Sequence, residues 1–344
     1  MAPYDAFLLV SFGGPEGPAD VLPFLRNVTA GRNVPAERLA AVAEHYELFG
    51  GVSPINQQCR DLLAAIEKDF RENGISLPVY WGNRNWQPYL AQTVAQMRAD
   101  GVRRALAFVT SAYSSYSSCR QYLDDIERAR VAAGPDAPRI DKIRQFFNHP
   151  GFIRPHAAAV MAAASTLPAG DFDLVFTAHS IPAGMSAASG PAGGAYPAQL
   201  AEAARLVAAE AGYARPWRLA YSSRSGPPSQ PWLEPDINDC LAELAAGGST
   251  AVVVSPVGFI SDHMEVRFDL DIEAARTAAA HGLAFARAAA PGTDPRFVSM
   301  VTELVLERLD GAPPAWVGDL GPGHDACPEG CCGRGAARPA AAGR

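Results

Sequence analysis

The chain has 344 residues, 48% of them hydrophobic and 19% charged, and a formal net charge of −7. This is the composition of an ordinary globular protein with room for two domains, and the acidic balance without any basic run argues against a nucleic-acid partner. No apolar run approaches the roughly 18–20 residues of a membrane span, and Met1-Ala-Pro-Tyr-Asp5 has neither the charged nor the apolar region of a signal peptide, so a cytoplasmic protein with no transmembrane segment is expected.

Residues 6–12 read as a buried strand ending at Gly13-Gly14-Pro15. Helical periodicity follows over 36–48 and 57–73, then a short strand at 79–81 and a helix through 92–100. A strand at 104–110 ends in the Ser/Tyr-rich residues 111–118, and 120–133 return to helix. After Asn148-His149-Pro150 a second series begins. It predicts helices at 152–164, 199–211 and 237–246, strands at 173–177, 217–221 and 251–254, a largely helical 261–281, and a last helix at 297–309. Strands that alternate with helices imply parallel sheets. The expected class is therefore α/β, with two Rossmann-like domains, residues 1–148 and 149–312, each a parallel four-stranded sheet flanked by helices. The last helix is free to pack on the N-terminal domain. No GxGxxG follows the first strand, so dinucleotide binding is not indicated. Residues 313–344 are rich in Gly, Pro and Ala and read as a linker interrupted by cysteines.

Ligands of parallel α/β sheets bind beyond the carboxyl ends of the strands. The strand at 173–177 delivers Ala178-His179-Ser180-Ile181-Pro182 there. A histidine in that place can accept a proton near neutral pH, or can merely hydrogen-bond a loop carbonyl. The strand at 251–254 delivers Gly258 through Glu265, and Glu265, Asp269 and Glu273 follow at i, i+4 and i+8. On a helix these carboxylates share one face, as a cation or proton path or as a solvated acidic surface. Of six cysteines, Cys59, Cys119 and Cys240 are scattered, whereas Cys327, Cys331 and Cys332 crowd into the tail, a pattern that in a reducing compartment points to metal binding rather than disulfides. Cys59 and Cys240 fall in helical runs and read as small packing residues.

Taken in order, several segments resemble the ferrochelatase family across roughly residues 6–310. They are Ser11-Phe12-Gly13-Gly14-Pro15, Tyr46 with Gly50-Gly51-Val52-Ser53-Pro54, and Gly82-Asn83-Arg84 with Pro88. Ala178-His179-Ser180-Ile181-Pro182 follows, then Tyr221-Ser222-Ser223-Arg224-Ser225-Gly226-Pro227 with Trp232-Leu233, and finally Pro256 through Glu265. The resemblance implies a chelatase-like pair of Rossmann-type domains with a porphyrin cleft between them, and insertion of Fe²⁺ into a porphyrin in heme biosynthesis. It assigns catalysis to His179 and Glu265, and contact with the Fe²⁺ substrate to the same pair together with Asp269, Glu273 and His263. Phe12, Tyr46, Ser53, Arg84 and Tyr122 are the implied porphyrin contacts, the other reading of the two tyrosines being a packed ring with its hydroxyl in water. Family members differ at the position of Phe12, some carrying tyrosine; a phenylalanine cannot ligate a metal and is expected to pack on the macrocycle.

The expected substrate is coproporphyrin III, whose four propionates call for donors and cations, with protoporphyrin IX as the alternative; the chain lacks the apolar lip segment of protoporphyrin-using enzymes. Some ferrochelatases carry a [2Fe–2S] cluster on one internal and three C-terminal cysteines, and the resemblance assigns these roles to Cys119, Cys327, Cys331 and Cys332, the other reading being incidental thiols in a disordered tail. A monomer is expected. A heme or porphyrin carrier would need axial ligands but no proton acceptor or acidic path, and a cobalt or nickel chelatase would share the fold but not the 223–232 and 258–265 segments.

Overall fold

The computed structural model describes residues 4–31, 34–226 and 229–335. Strands β1 (Ala6–Ser11), β2 (Val79–Asn83), β3 (Arg104–Val109) and β4 (Arg139–Lys142) form one parallel sheet in the order β2-β1-β3-β4. A second parallel sheet repeats the plan with β5 (Asp173–His179), β6 (Trp217–Ser222), β7 (Ala251–Ser255) and β8 (Ala284–Arg287), ordered β6-β5-β7-β8. The helices of the first half are α1 (Pro18–Val28), α2 (Ala36–Glu47), α3 (Ile55–Glu72), α4 (Leu90–Ala99) and α5 (Gln121–Ala133). Those that follow are α6 (Pro150–Ala164), α7 (Ala183–Ala187), α8 (Ala195–Glu210), α9 (Ile237–Ala246), α10 (Ala275–Ala280) and α11 (Pro295–Leu309).

The central strands are apolar on both faces because helices cover both. In β1, Phe7 and Leu9 turn to a core that runs without a break into the second half, through Leu106 and Phe108, helices α3, α6, α8 and α11, and on to Leu174, Phe176 and Val253. Ala6, Leu8 and Val10 face the other way, onto α4 and α5. In the second sheet Val175, Val252 and Val254 pack on α9 and the segment after β7. Each large side chain so buried contributes about 1.5–3 kcal/mol. Helix α11 packs on both α3 and α6. The fully buried Tyr113, just beyond β3, donates its hydroxyl to the Val257 carbonyl at 2.7 Å and fixes one half against the other.

Two expectations change. Residues 261–281 are not a plain α-helix: Val266–Ala274 is π-helical and runs directly into α10. The wider turn of a π-helix rotates successive i, i+4 positions the opposite way from an α-helix while keeping them on one side. The tail is also not a free linker over its described residues. Arg144 grips Glu307 with two bonds, 2.7 and 2.8 Å, and donates to the Ala315 carbonyl at 2.8 Å. Val317 donates to the Asn148 carbonyl at 2.9 Å, and the Asn148 side chain donates to the Gly321 carbonyl at 2.7 Å. A glycine-rich chain can lie close to a folded body when its carbonyls are satisfied in this way. Residues 336–344 and residues 1–3 lie outside the described residues, as do Pro227 and Pro228 of the Ser222–Pro228 run.

Candidate active site

Both sheets place their functional loops at the carboxyl ends of adjacent central strands, where neighbouring connections diverge. His179 is the last residue of β5. Its main-chain carbonyl accepts from the buried Tyr196 hydroxyl at 2.8 Å, and its Nδ1 hydrogen-bonds the Ser180 carbonyl. A carbonyl can only accept, so Nδ1 carries the proton and Nε2 is the free lone pair of the neutral ring. The loop after β7 returns across β5 at Gly258, whose amide donates to the Thr177 carbonyl at 2.9 Å. A Cβ at Gly258 would come within 2.5 Å of the Ala178 Cβ, so only glycine permits this approach. The loop thereby carries Glu265 to the start of the π-helix, with its Oε1 3.6 Å from His179 Nε2.

The electrostatics of the pair are reciprocal. Burial disfavours the charged imidazole, but the Glu265 carboxylate and the Ser180 carbonyl outweigh it and raise His179 to about 9. Burial likewise disfavours the charged carboxylate, and His179 with His263 outweighs it and brings Glu265 down to about 2. At neutral pH the pair stands as imidazolium and carboxylate, with half of the Glu265 side chain still open to solvent. Asp269 lies one turn on and receives the Ser223 hydroxyl. Burial first, then the charges of Glu265 and Glu273, push Asp269 up to about 7 in spite of that bond. A proton acceptor poised at neutrality therefore sits directly behind the pair. His263 accepts the Glu265 amide through Nδ1 at 3.2 Å, which leaves Nε2–H as the donor of its neutral ring.

The N-terminal half supplies an aromatic wall. Phe12, Phe24, Tyr46 and Trp86 pack together, and Met264 of the other half is buried among them. Gly13 makes the turn after Phe12 at φ +81°, where a Cβ would press on Asn83. His45 stacks on Phe268 with ring centroids 3.7 Å apart, and Arg267 lies over Phe49. Tyr46 is buried beside Glu265, and Ser53 is buried under Gly14. Arg84 lies over the rings of Phe12 and Tyr122, at 5.6 and 4.5 Å, and is ion-paired with Asp125. The structure thus gathers Phe12, Tyr46 and the His179–Glu265–Asp269 group around one junction. Arg84 stands beside Phe12, with Tyr122 next to it.

The model of the ferrochelatase family matches residues 4–309. The chain belongs to the ferrochelatase family. It is 53% identical over 362 residues to the coproporphyrin III ferrochelatase of Streptomyces griseus subsp. griseus, covering 99% of this chain and 96% of that one. It is 56% identical over 352 residues to the coproporphyrin III ferrochelatase of Nocardia farcinica, covering 99% of each. Among solved structures it is similar to SirB from Bacillus subtilis with Fe³⁺, at 12% identity and a TM-score of 0.51, covering 89% of this chain and 97% of that one, which shows the shared fold.

Three features of the structure are not legible in the sequence. Ser223, held at φ +62°, donates to Asp269. Arg287 on β8 pairs with Asp262 and Asp271 and braces the loop and the π-helix together. His324 joins the thiols of the tail: its donor atoms and those of Cys327 and Cys331 all lie within 4.8 Å of one another, a group that could hold a metal. Only an unusual backbone at Ser223 or a partner for isolated arginines would have signalled them, and neither is written in residue spacing.

All six cysteines are free thiols. Cys119, in the π-helical turn Tyr116–Arg120, is buried against Cys331 and Cys332, with Cys327 packed on them. Left-handed backbone at Cys332, φ +57°, lets two consecutive side chains turn to the same place. Their Sγ atoms are 3.7 Å apart, close to the roughly 3.8 Å between two thiolates held about 2.3 Å from one tetrahedral metal. Hydrogen bonds from Cys327 and Cys332 hold Cys119 strongly toward the thiolate, and its negative charge holds those two as thiols. Four cysteine sulfurs gathered in one pocket fit a metal-containing group better than they fit a hydrophobic core.

Proposed function

We propose that this chain inserts Fe²⁺ into coproporphyrin III to give coproheme in heme biosynthesis. The His179–Glu265 pair, backed by an acid–base group at Asp269, is the observation that carries the reading, and relatives of that activity match nearly the whole length. Insertion removes two pyrrole N–H protons as the iron sheds water. His179 Nε2 is the acceptor of such a proton, because Nδ1 is committed to Ser180. In the resting pair Nε2 is already protonated. When Glu265 turns its carboxylate to arriving Fe²⁺, the imidazolium loses its partner, passes its proton toward Asp269 and is left able to take the next from the ring. Glu273 continues the path outward, and His263 contributes its Nε2–H beside Glu265. The aromatic wall with Phe12 covers the macrocycle, Met264 giving way to it. Tyr46, Ser53, Arg84 and Tyr122 serve the propionates. A carrier would have no use for a proton acceptor at neutral pH. The two products are separated by comparing coproporphyrin III with protoporphyrin IX as acceptors of Fe²⁺ under anaerobic conditions.

Asp269 gives this path a measurable signature. Its folded-state value near 7 lies above the ordinary 3.8, so the folded chain holds the proton more tightly than the unfolded chain. The group therefore costs stability progressively as pH rises from about 4 to 7, and that cost persists above 7. Asp269→Asn is expected to unfold at a higher temperature than wild type at pH 8, with little difference at pH 4, while insertion slows by roughly tenfold or more. A variant that is no more stable at pH 8 would contradict the raised value.

The same reading assigns a [2Fe–2S] cluster to Cys119, Cys327, Cys331 and Cys332. Bound there, the cluster would supply a one-electron redox centre, and no step of insertion is drawn through it. The chain's own part is to hold the sulfurs and join the tail to the body. Ferrous substrate and six free thiols suit a reducing cytoplasm.

A further inference from the structure

The thiol pocket contains polar groups that iron insertion does not use. Gln145 follows β4 and is 2% exposed. Its Nε2 is 2.7 Å from the Cys119 sulfur, and its Oε1 has no partner among the described residues. The backbone there is fixed from two sides: the Gln145 carbonyl accepts from Arg144 at 3.2 Å, and Gly323 lies so close that a Cβ would meet that carbonyl at 2.6 Å. A buried amide with an orphaned oxygen is tolerated where its N–H end is well bound. A cysteine that ligates a cluster does so as a thiolate and can only accept, so the amide turned the other way would set its oxygen against a second acceptor. A further donor reaches the pocket from a separate element, the Gly190 amide, 3.2 Å from Cys332, and His324 Nε2 lies 3.8 Å from Cys331.

Resting on the assignment of the cluster to these cysteines, we propose that Gln145 is a positioning residue for it: its Nε2–H donates to the Cys119 sulfur and raises the reduction potential of the group. The added electron makes the reduced cluster more negative, so a donor to a ligating sulfur stabilises the reduced form more than the oxidised one. Methionine fills nearly the same volume as glutamine and has no N–H.

The test uses the full chain, purified anaerobically, as wild type and as Gln145→Met. Iron and acid-labile sulfide are measured, and the potential is taken from a redox titration followed by electron paramagnetic resonance. Both proteins are expected to carry the cluster, with the potential of Gln145→Met shifted downward. A loaded Gln145→Met at the wild-type potential overturns the inference and leaves the cluster standing. Wild type without iron and sulfide overturns the cluster assignment and the inference with it. Should Gln145→Met fail to load, reduced wild type bearing ¹⁵N in its glutamine side chains decides: coupling of the electron spin to ¹⁵N and to an exchangeable proton supports the bond, and its absence overturns it.

Discussion

His179→Ala is expected to insert Fe²⁺ roughly 10²–10⁴-fold more slowly than wild type while binding porphyrin with little change in affinity. The size follows from what the substitution removes. Nε2 is the uncommitted nitrogen of the pair, held in place by the Ser180 bond on the other side of the ring and by Tyr196 on the main chain. Alanine deletes the proton acceptor and leaves Glu265 with no partner across the 3.6 Å gap. The aromatic wall belongs to the other half of the molecule, so the surface that binds the macrocycle survives. Equilibrium quenching of porphyrin fluorescence separates binding from single-turnover insertion, and added imidazole should restore part of the lost rate. Insertion at a near-normal rate would remove His179 from the chemistry.

Glu265→Gln is the second large effect, with an expected loss of about 10²–10³ in the rate of insertion. Glutamine keeps the shape and the hydrogen-bonding reach of glutamate but has no charge to offer iron or imidazolium. The consequence extends to His179, whose value of about 9 depends chiefly on Glu265. In the variant burial is the largest influence left on the ring, so it should titrate well below 9, which nuclear magnetic resonance of the ring protons reads directly. The stability curve changes as well. In wild type the raised histidine adds stability that is whole below about 6.5 and is lost as pH rises through 9, and the lowered glutamate adds stability that is whole above about 4.5 and is lost as pH falls toward 2. The variant should lack the advantage most clearly between pH 5 and 6.5. A histidine that still titrates near 9 without Glu265 would show that the two are not electrostatically paired.

The central strands were legible because helices on both faces force continuous apolar runs, as in β1, β3 and β7. Of the outer strands, β2 and β6 were legible but β4 and β8 were not: Arg139–Lys142 reads Arg-Ile-Asp-Lys and Ala284–Arg287 reads Ala-Phe-Ala-Arg, too short and mixed to carry a signal. Helix α1 was missed because Pro18 and Pro23 break its pattern. Helices α6 and α11 begin two residues earlier than their apolar periodicity because a proline occupies the first turn, where its missing N–H costs nothing. The site divides in the same way. His179 and Glu265 could be found because strand ends and a carboxylate series are visible in one dimension. Ser223, Arg287 and Gln145 act through partners 46, 25 and 26 positions away, and a polar residue seen alone announces no such partner. The tail cysteines were visible as a group, but their closure on Cys119 depends on Arg144 and Asn148 drawing residues 315–321 onto the body.

Anaerobic metallation of coproporphyrin III and of protoporphyrin IX with Fe²⁺, followed by absorption spectra of the product, tests the account most directly. The expected result is rapid formation of coproheme, with protoporphyrin IX metallated far more slowly. Equal or preferred use of protoporphyrin IX would contradict the substrate assignment, and metallation of neither porphyrin would contradict iron insertion itself.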